Sequence, residues 1–142
     1  MAVITDIAEA VVAELNAASF SQSFTAARAY SPEFELPDME TLRVTVVPTG
    51  ITTQPGSRSH RQHDYTVDVA VQKKLQSADN DEIDALMTLA EEVGDHFRFQ
   101  RLPSFPNEMW LKTENDPVYA SEHIRELRQF TSILTVTFRV AR

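Results

Sequence analysis

The sequence predicts an α+β fold, a two-layer sandwich in which two helices pack on one face of a mixed or mainly antiparallel sheet of about five strands. Two segments carry apolar residues at helical spacing, and five other segments carry them at alternate positions. Several strands follow one another without an intervening helix, in the order αβββαββ, which favours antiparallel neighbours. The length of 142 residues suits one domain, 1–142, with a long loop or hairpin arm at about 48–63.

The first third of the chain predicts one helix and two strands. Apolar residues at helical spacing between Ile4 and Leu15 predict a helix over residues 3–16. A mixed apolar and polar alternation predicts a first strand over residues 24–30, and a cleaner alternation predicts a second over residues 41–47.

The middle of the chain predicts a connection and then a long strand. Residues 48–62 contain Pro48, Gly50, Pro55 and Gly56, which are typical of a long connection without core residues. The alternation that follows predicts a third strand over about residues 62–75, with one end projecting from the domain. The second and third strands are consecutive, so we expect them to be antiparallel neighbours.

The remaining elements are a second helix and two strands. Asp79 and Glu82 resemble a capping box, and the apolar stripe behind them predicts a helix from near Asn80 to near Phe99. A short strand is predicted over residues 109–113, followed by a turn at 115–117. Residues 121–126 fit either one helical turn or the approach to a last strand over 130–140.

One sheet face is expected to lack a helix layer. The strand alternation places polar side chains on that face, which we expect to meet solvent, a lumen or a neighbouring subunit. Its predicted members are Arg43, Asp68, Gln72, Thr135 and Thr137.

The charge pattern disfavours tight nucleic-acid binding. The chain has 21 Asp and Glu against 13 Lys and Arg, a formal net charge of −8. Residues 49–63 are nevertheless basic, with Arg58, His60, Arg61 and His63 and no acid, whereas acids crowd residues 79–84. In a homo-oligomer these opposite charges could meet across an interface.

The residue inventory favours a protein that is not an enzyme. With no Cys and only 3 Gly, the chain has no thiolate site and no glycine-rich phosphate loop, and we expect no cofactor and no bound metal. The acidic N-terminal segment has no secretion-signal pattern, and no run is long and apolar enough for a membrane span. One catalytic alternative stays open, a small metal-dependent hydrolase that uses His60 and His63 with nearby acids.

Three ordered segments resemble a known family. They are DIAEAVVAELN, then HDYTVDVAVQKKL with DNDEIDALMTLAEEVGDHFR, and HIRELRQFTSILTVTFRVAR after NDPVYASEH. Together they cover about half of the chain and resemble the tail-terminator and head-to-tail joining proteins of long-tailed bacteriophages and prophages. The resemblance implies a virion protein, made in the host cytoplasm, that forms a ring of typically six subunits at the head-proximal end of the tail. Such a ring stops tail-tube polymerisation and joins the tail to the neck.

The resemblance also implies partners and residue roles. The partners would be further copies of the chain, the tail-tube protein and a neck or head-completion protein, while DNA passes the bore without specific binding. A head-closure or connector ring of the neck is the alternative within the same class. By this analogy the hairpin and the sheet build the bore wall and the subunit contacts, and the residues given such roles are Arg43, Arg58, His60, Arg61, His63, Asp64 and Asp68.

The net charge adds an expectation about the bore. Six copies at −8 would carry about −48, and an acidic wall repels DNA phosphates. We therefore expect a net acidic bore with few Lys residues.

Overall fold

The computed structural model describes residues 2–30, 41–56, 61–76, 80–98, 108–115 and 118–141. It confirms the predicted fold class, a mixed five-stranded sheet with helices, and the predicted order of the elements. None of the helices in these ranges is long and apolar enough to span a membrane. The elements are α1 (Val3–Ala17), β1 (Ala26–Arg28), β2 (Arg43–Pro55), β3 (Arg61–Lys74), α2 (Asn80–Phe97), β4 (Glu108–Glu114), a π-helical turn (His123–Leu127) and β5 (Gln129–Ala141).

The sheet has the strand order β1-β2-β3-β5-β4. β1 pairs parallel to β2, and all other pairs are antiparallel, including the hairpin neighbours β2 and β3 that the sequence predicts. The register places Val46 opposite Val69 and Val69 opposite Leu134. Since directly opposed residues share a face, these apolar side chains form one continuous side of the sheet.

Both helices cover that side of the sheet, as predicted. Each helix buries five residues, and all ten belong to the same hydrophobic cluster as the apolar strand residues. α1 contacts β1, β2 and β3, while α2 contacts β5 and β4, so the two helices divide the sheet between them. The hydrophobic core lies between the helices and the sheet. The side chains there are at most 1% exposed, for example Val11 and Leu15 of α1 and Val93 and Phe97 of α2.

Of the two predictions for residues 48–63, a loop without core residues or a hairpin arm, the structure has the hairpin, and the predicted connection over 48–62 is wrong for most of its length. β2 continues to Pro55 and β3 begins at Arg61, so this part of the chain is a long hairpin. Pro48 and Gly50 produce a register shift in the ladder rather than an end of the strand. The β-branched residues Ile51, Thr52 and Thr53 then pair with β3, because their side chains suit an extended backbone.

The hairpin is longer than the helices that cover the sheet. At about 3.3 Å per residue, the 14 residues of β3 span roughly 46 Å. At 1.5 Å per residue, the 15 and 18 residues of the two helices span about 22 and 27 Å. All residues from Ile51 to Pro55 are exposed, so the end of the hairpin extends beyond the helix layer.

Several predicted bounds need correction. The first strand is limited to Ala26–Arg28, because pairing with β2 involves only these residues, and Tyr30 is 75% exposed. α2 ends at Phe97, and the predicted end at Phe99 lies outside the described residues. Between Ser121 and the last strand the chain forms the π-helical turn, which ends at Arg128 with a φ of 49°.

The start of α2 is held by a contact with the preceding strand. Glu82 accepts a hydrogen bond from the backbone N–H of Gln76 (2.8 Å) and one from Lys73 Nζ (3.2 Å). The other half of the predicted capping box, Asp79, lies outside the described residues. The described contacts of Glu82 therefore fasten the beginning of α2 to the end of β3.

Candidate assembly surface

The half of the sheet that contains the end of the hairpin is the candidate functional site. We call it the sheet tip and define it as residues 48–55 of β2, 61–67 of β3, 135–141 of β5 and 108–114 of β4. One row across the tip runs from Ile51 to Tyr65, then to Phe138 and Trp110. The next row runs from Thr52 to Asp64, Arg139 and Met109 on the opposite face.

Both lateral edges of the sheet tip lack a strand partner within the described part of the chain. β1 pairs only with Val44–Val46 of β2, and one further bond joins Ala29 N–H to the Val46 carbonyl. On the other side, β4 pairs with β5 alone. An edge strand presents a row of N–H and C=O groups that can pair with another chain.

The opposite end of the sheet, the base, has a closed edge on the β1 side. Asn16 at the end of α1 accepts a hydrogen bond from Ala26 N–H at Oδ1 (2.8 Å) and donates one from Nδ2 to the Ala26 carbonyl (3.2 Å). Its amide group thus replaces the peptide group of a neighbouring strand. Arg28 Nε also donates to Glu9 Oε1 (2.6 Å), and this bond raises the pKa of Arg28.

The face opposite the helices, which we call the second face, is polar at the tip. Arg139 holds Asp64 with two hydrogen bonds, Nε to Oδ1 (2.8 Å) and Nη2 to Oδ2 (3.2 Å), and this contact raises the pKa of Arg139. Thr135 Oγ1 donates to Asp68 Oδ1 (2.8 Å), so a second carboxylate is also bound across the β3–β5 pair. These bonds fix the polar side chains in position.

The register bears out the predicted membership of the second face. Arg43 lies opposite Gln72, Asp68 opposite Thr135, and Thr66 opposite Thr137, all on the side away from the core. Neither α1 nor α2 packs against this side in the described ranges. The predicted residues therefore share one face of the sheet, but Gln72 and Thr137 are only 4% and 5% exposed, so the expected contact with solvent does not hold for these two.

The other predicted site residues divide between two sides of the hairpin. His63 lies on the helix side, where Nδ1 is 3.1 Å from Thr53 Oγ1 and the ring stacks on Tyr65. Asp64 lies on the second face, so the structure does not bring these two side chains together. Arg61 is exposed at the start of β3, and Arg58 and His60 lie outside the described residues.

Sequence reasoning missed Arg139, Ile51, Met109 and Asn16. Arg139 follows Thr135 and Thr137 in the same alternation, so extending that pattern by one step would have found Arg139. Ile51 was missed because residues 48–62 were interpreted as a connection. Asn16 gave no pattern, since its strand-like bonds to Ala26 join residues ten positions apart.

The helix layer and the second face of the sheet differ in charge. α1 contains three acids, α2 contains six, and neither contains Lys or Arg. The second face is balanced instead, and Lys112 there pairs with Glu114 at 2.7 Å, which raises the pKa of Lys112. The charged residues that the register assigns to the second face are Arg43, Lys74, Lys112 and Arg139 against Asp64, Asp68 and Glu114.

Two open grooves lie on the helix side. One, of about 640 Å³, is lined by Lys73 and by the first turns of α2. The other, of about 490 Å³, lies between α2 and β4 and includes Gly94, Trp110 and Leu134. Within the described ranges, no three His, Asp or Glu side chains lie close enough together to hold a metal ion.

Comparisons with known proteins give no family assignment. No family model matches the chain, and no curated protein matches it.

Proposed function

We propose that this chain is a non-enzymatic structural subunit of a phage virion. It forms a ring, of roughly six copies, at the head-proximal end of a long tail, where it ends tail-tube polymerisation and joins the tail to the neck. The proposal combines the resemblance of the three ordered segments with the architecture of the sheet.

The observation that supports the proposal most strongly is the sheet tip. Its hairpin end, Ile51–Pro55, is exposed, its two lateral edges have no described strand partner, and its second face carries fixed polar side chains. Strand edges without a described partner can pair with another chain, and a ring subunit can use such a hairpin to contact its neighbours.

The distribution of charge suggests which face lines the bore. A bore lined by the second face would be nearly neutral, because Arg139 and Lys112 are each paired with a carboxylate. The acidic helices would then lie on the outer side of the ring. With this face inside, the bore would be charge-balanced and would hold DNA phosphates only weakly, whereas the acidic bore expected from the net charge would need the helix side inside.

Oligomer formation is the first test of the proposal. Light scattering and negative-stain imaging of the purified chain should give a closed ring with a mass of about six times 16.0 kDa. A species that stays monomeric at high concentration, and also in tail extracts, would contradict the proposal.

Tail length is the second test, because it separates a tail terminator from a neck connector. Tails assembled without this chain should exceed their normal length, and addition of the purified chain should restore it. Tails of normal length that fail to join heads would instead favour the connector ring.

A further inference from the structure

We propose that copies of this chain join edge to edge, with residues 49–55 of β2 in one copy paired antiparallel with β4 of the next copy. The inference rests on the proposed function in one respect, namely that the chain is a homo-oligomer. It adds the pairing strands, their direction and their register.

The two edges lie at the same level of the sheet. Gly50 connects through Thr66 and Thr137 to Lys112, and Thr52 connects through Asp64 and Arg139 to Met109. The β2 edge and the β4 edge are thus opposite sides of one four-stranded region. A rotation that moves one copy beside the next brings the β2 edge of the first against the β4 edge of the second.

The strand directions are also compatible. β2 is antiparallel to β3, β3 to β5, and β5 to β4, so β4 runs opposite to β2. Copies that share one axis direction therefore bring these two edges together as an antiparallel pair. Antiparallel pairing is slightly more stable per residue than parallel pairing.

Exposed apolar side chains mark both edges. Ile51 on β2 is 55% exposed, and Met109 on β4 is 49% exposed. With no axial shift between copies, Ile51 lies opposite the neighbour's position 110, a Trp, on the helix side, and Thr52 lies opposite the neighbour's position 109, a Met, on the second face. Cross-strand contacts of this kind bury both exposed side chains.

The edge of β2 lacks one feature that commonly prevents such pairing, namely charge, although it contains Pro48, Pro55 and a register shift. Residues 44–57 contain no charged residue, although charges on edge strands are a common protection against association. At the base, by contrast, β1 and the Asn16 amide close the same side of the sheet. Among the described residues, closure of this side of the sheet by another segment is therefore confined to the base.

The shape of the subunit favours closure of the pairing into a ring. Each interface joins two different surfaces, so identical contacts generate either a ring or an open filament. α1 and α2 lie on one side of the sheet, so a curved array has room for these two helices on its outer side. The second face then lines the inside of the ring.

Cysteine cross-linking tests the pairing directly, since the native chain contains no Cys. Thr52→Cys combined with Met109→Cys should give covalent oligomers up to the full ring with a short bismaleimide. Within one copy these positions are three strand spacings apart, about 14 Å, beyond the reach of the reagent chosen. Thr53→Cys with Met109→Cys is the matched control, because Thr53 faces the helix side and should not link.

A second pair of Cys substitutions controls for local disturbance of the structure at position 52 or 109. Gly50→Cys with Lys112→Cys should link in the same way, and the nearest atom to a Cβ at Gly50 is 3.9 Å away, so the substitution is tolerated. Ile51→Asp should convert the oligomer to monomers while circular dichroism shows an unchanged fold.

The outcomes separate this inference from the proposed function. The edge pairing is overturned if electron microscopy shows rings but neither Cys pair cross-links, or if rings persist in Ile51→Asp. Either result leaves the proposed ring function intact. Absence of rings and of cross-links overturns both. Equal linking of the Thr53 control and the Thr52 pair also overturns the proposed register.

Discussion

The side chain of Asn16 offers a quantitative test of how the base edge is closed. Its amide makes two hydrogen bonds to the backbone of Ala26, at 2.8 and 3.2 Å. A hydrogen bond contributes about 0.5–1.5 kcal/mol net, so Asn16→Ala should lose about 1–3 kcal/mol. Ala is a better helix former than Asn, which returns roughly 0.5 kcal/mol at this position in α1. The expected net destabilisation is about 0.5–2.5 kcal/mol.

The isosteric change Asn16→Asp should be at least as destabilising as Asn16→Ala. The carboxylate still accepts from Ala26 N–H but cannot donate to the Ala26 carbonyl, so it places two acceptors against each other. An anion near the C-terminal end of α1 is also unfavourable with respect to the helix dipole. The expected order of stability is therefore the native chain, then Asn16→Ala, then Asn16→Asp.

Urea unfolding and amide exchange measure these effects. With a urea dependence of about 2 kcal/mol per M, Asn16→Ala should lower the midpoint by about 0.3–1.2 M. The Ala26 amide should also exchange faster with solvent, while the exposed-site control Ser23→Ala leaves both quantities unchanged. The experiment needs a concentration at which copies stay apart, because assembly adds to the apparent stability. An unchanged midpoint together with unchanged Ala26 protection would refute the role assigned to Asn16.

Two further predictions concern the helix layer. Phe97→Ala should lower the free energy of unfolding by about 3–5 kcal/mol, because Phe97 is 0% exposed and packs against Phe138. Urea unfolding measures this loss. As a control, Val118→Ala, at a 39% exposed site, should change the free energy of unfolding by no more than about 0.5 kcal/mol. Gly94→Val should cost about 1–3 kcal/mol, since even a Cβ at Gly94 would lie 3.1 Å from Leu134 Cδ2. In a Leu134→Ala background that cost should fall, and a double-mutant cycle with no coupling between the two sites would contradict the contact.

The fold could be predicted from the sequence because its core follows simple periodicities. The alternation of Val67, Val69 and Val71 in β3 and the stripe of Leu86, Ala90 and Val93 in α2 both face the same core. The extent of β2 could not be predicted, because Pro48 and Gly50 are also typical of loops. Pairing with β3 determines where β2 ends, and that pairing connects residues that are distant in sequence.

The candidate surface was predictable only in part. Asp68 and Thr135 follow from alternation, and the structure adds the hydrogen bond that joins them. The level at which Thr52 and Met109 align depends on three successive strand pairs and two register shifts. No local pattern contains that information, so the relation between the two edges could be found only from the assembled sheet.

The positions of the two prolines in β2 have a further consequence. Pro48 and Pro55 have no N–H group, and they bound a stretch of six residues, 49–54, in which alternate N–H groups point away from β3 and can donate to an added strand. A strand shifted far along this edge would place carbonyl groups opposite a residue that cannot donate. The two prolines therefore limit the length of strand that can pair at this edge. A short strand such as the seven-residue β4 fits between them, and the unlimited stacking that leads to amyloid is discouraged.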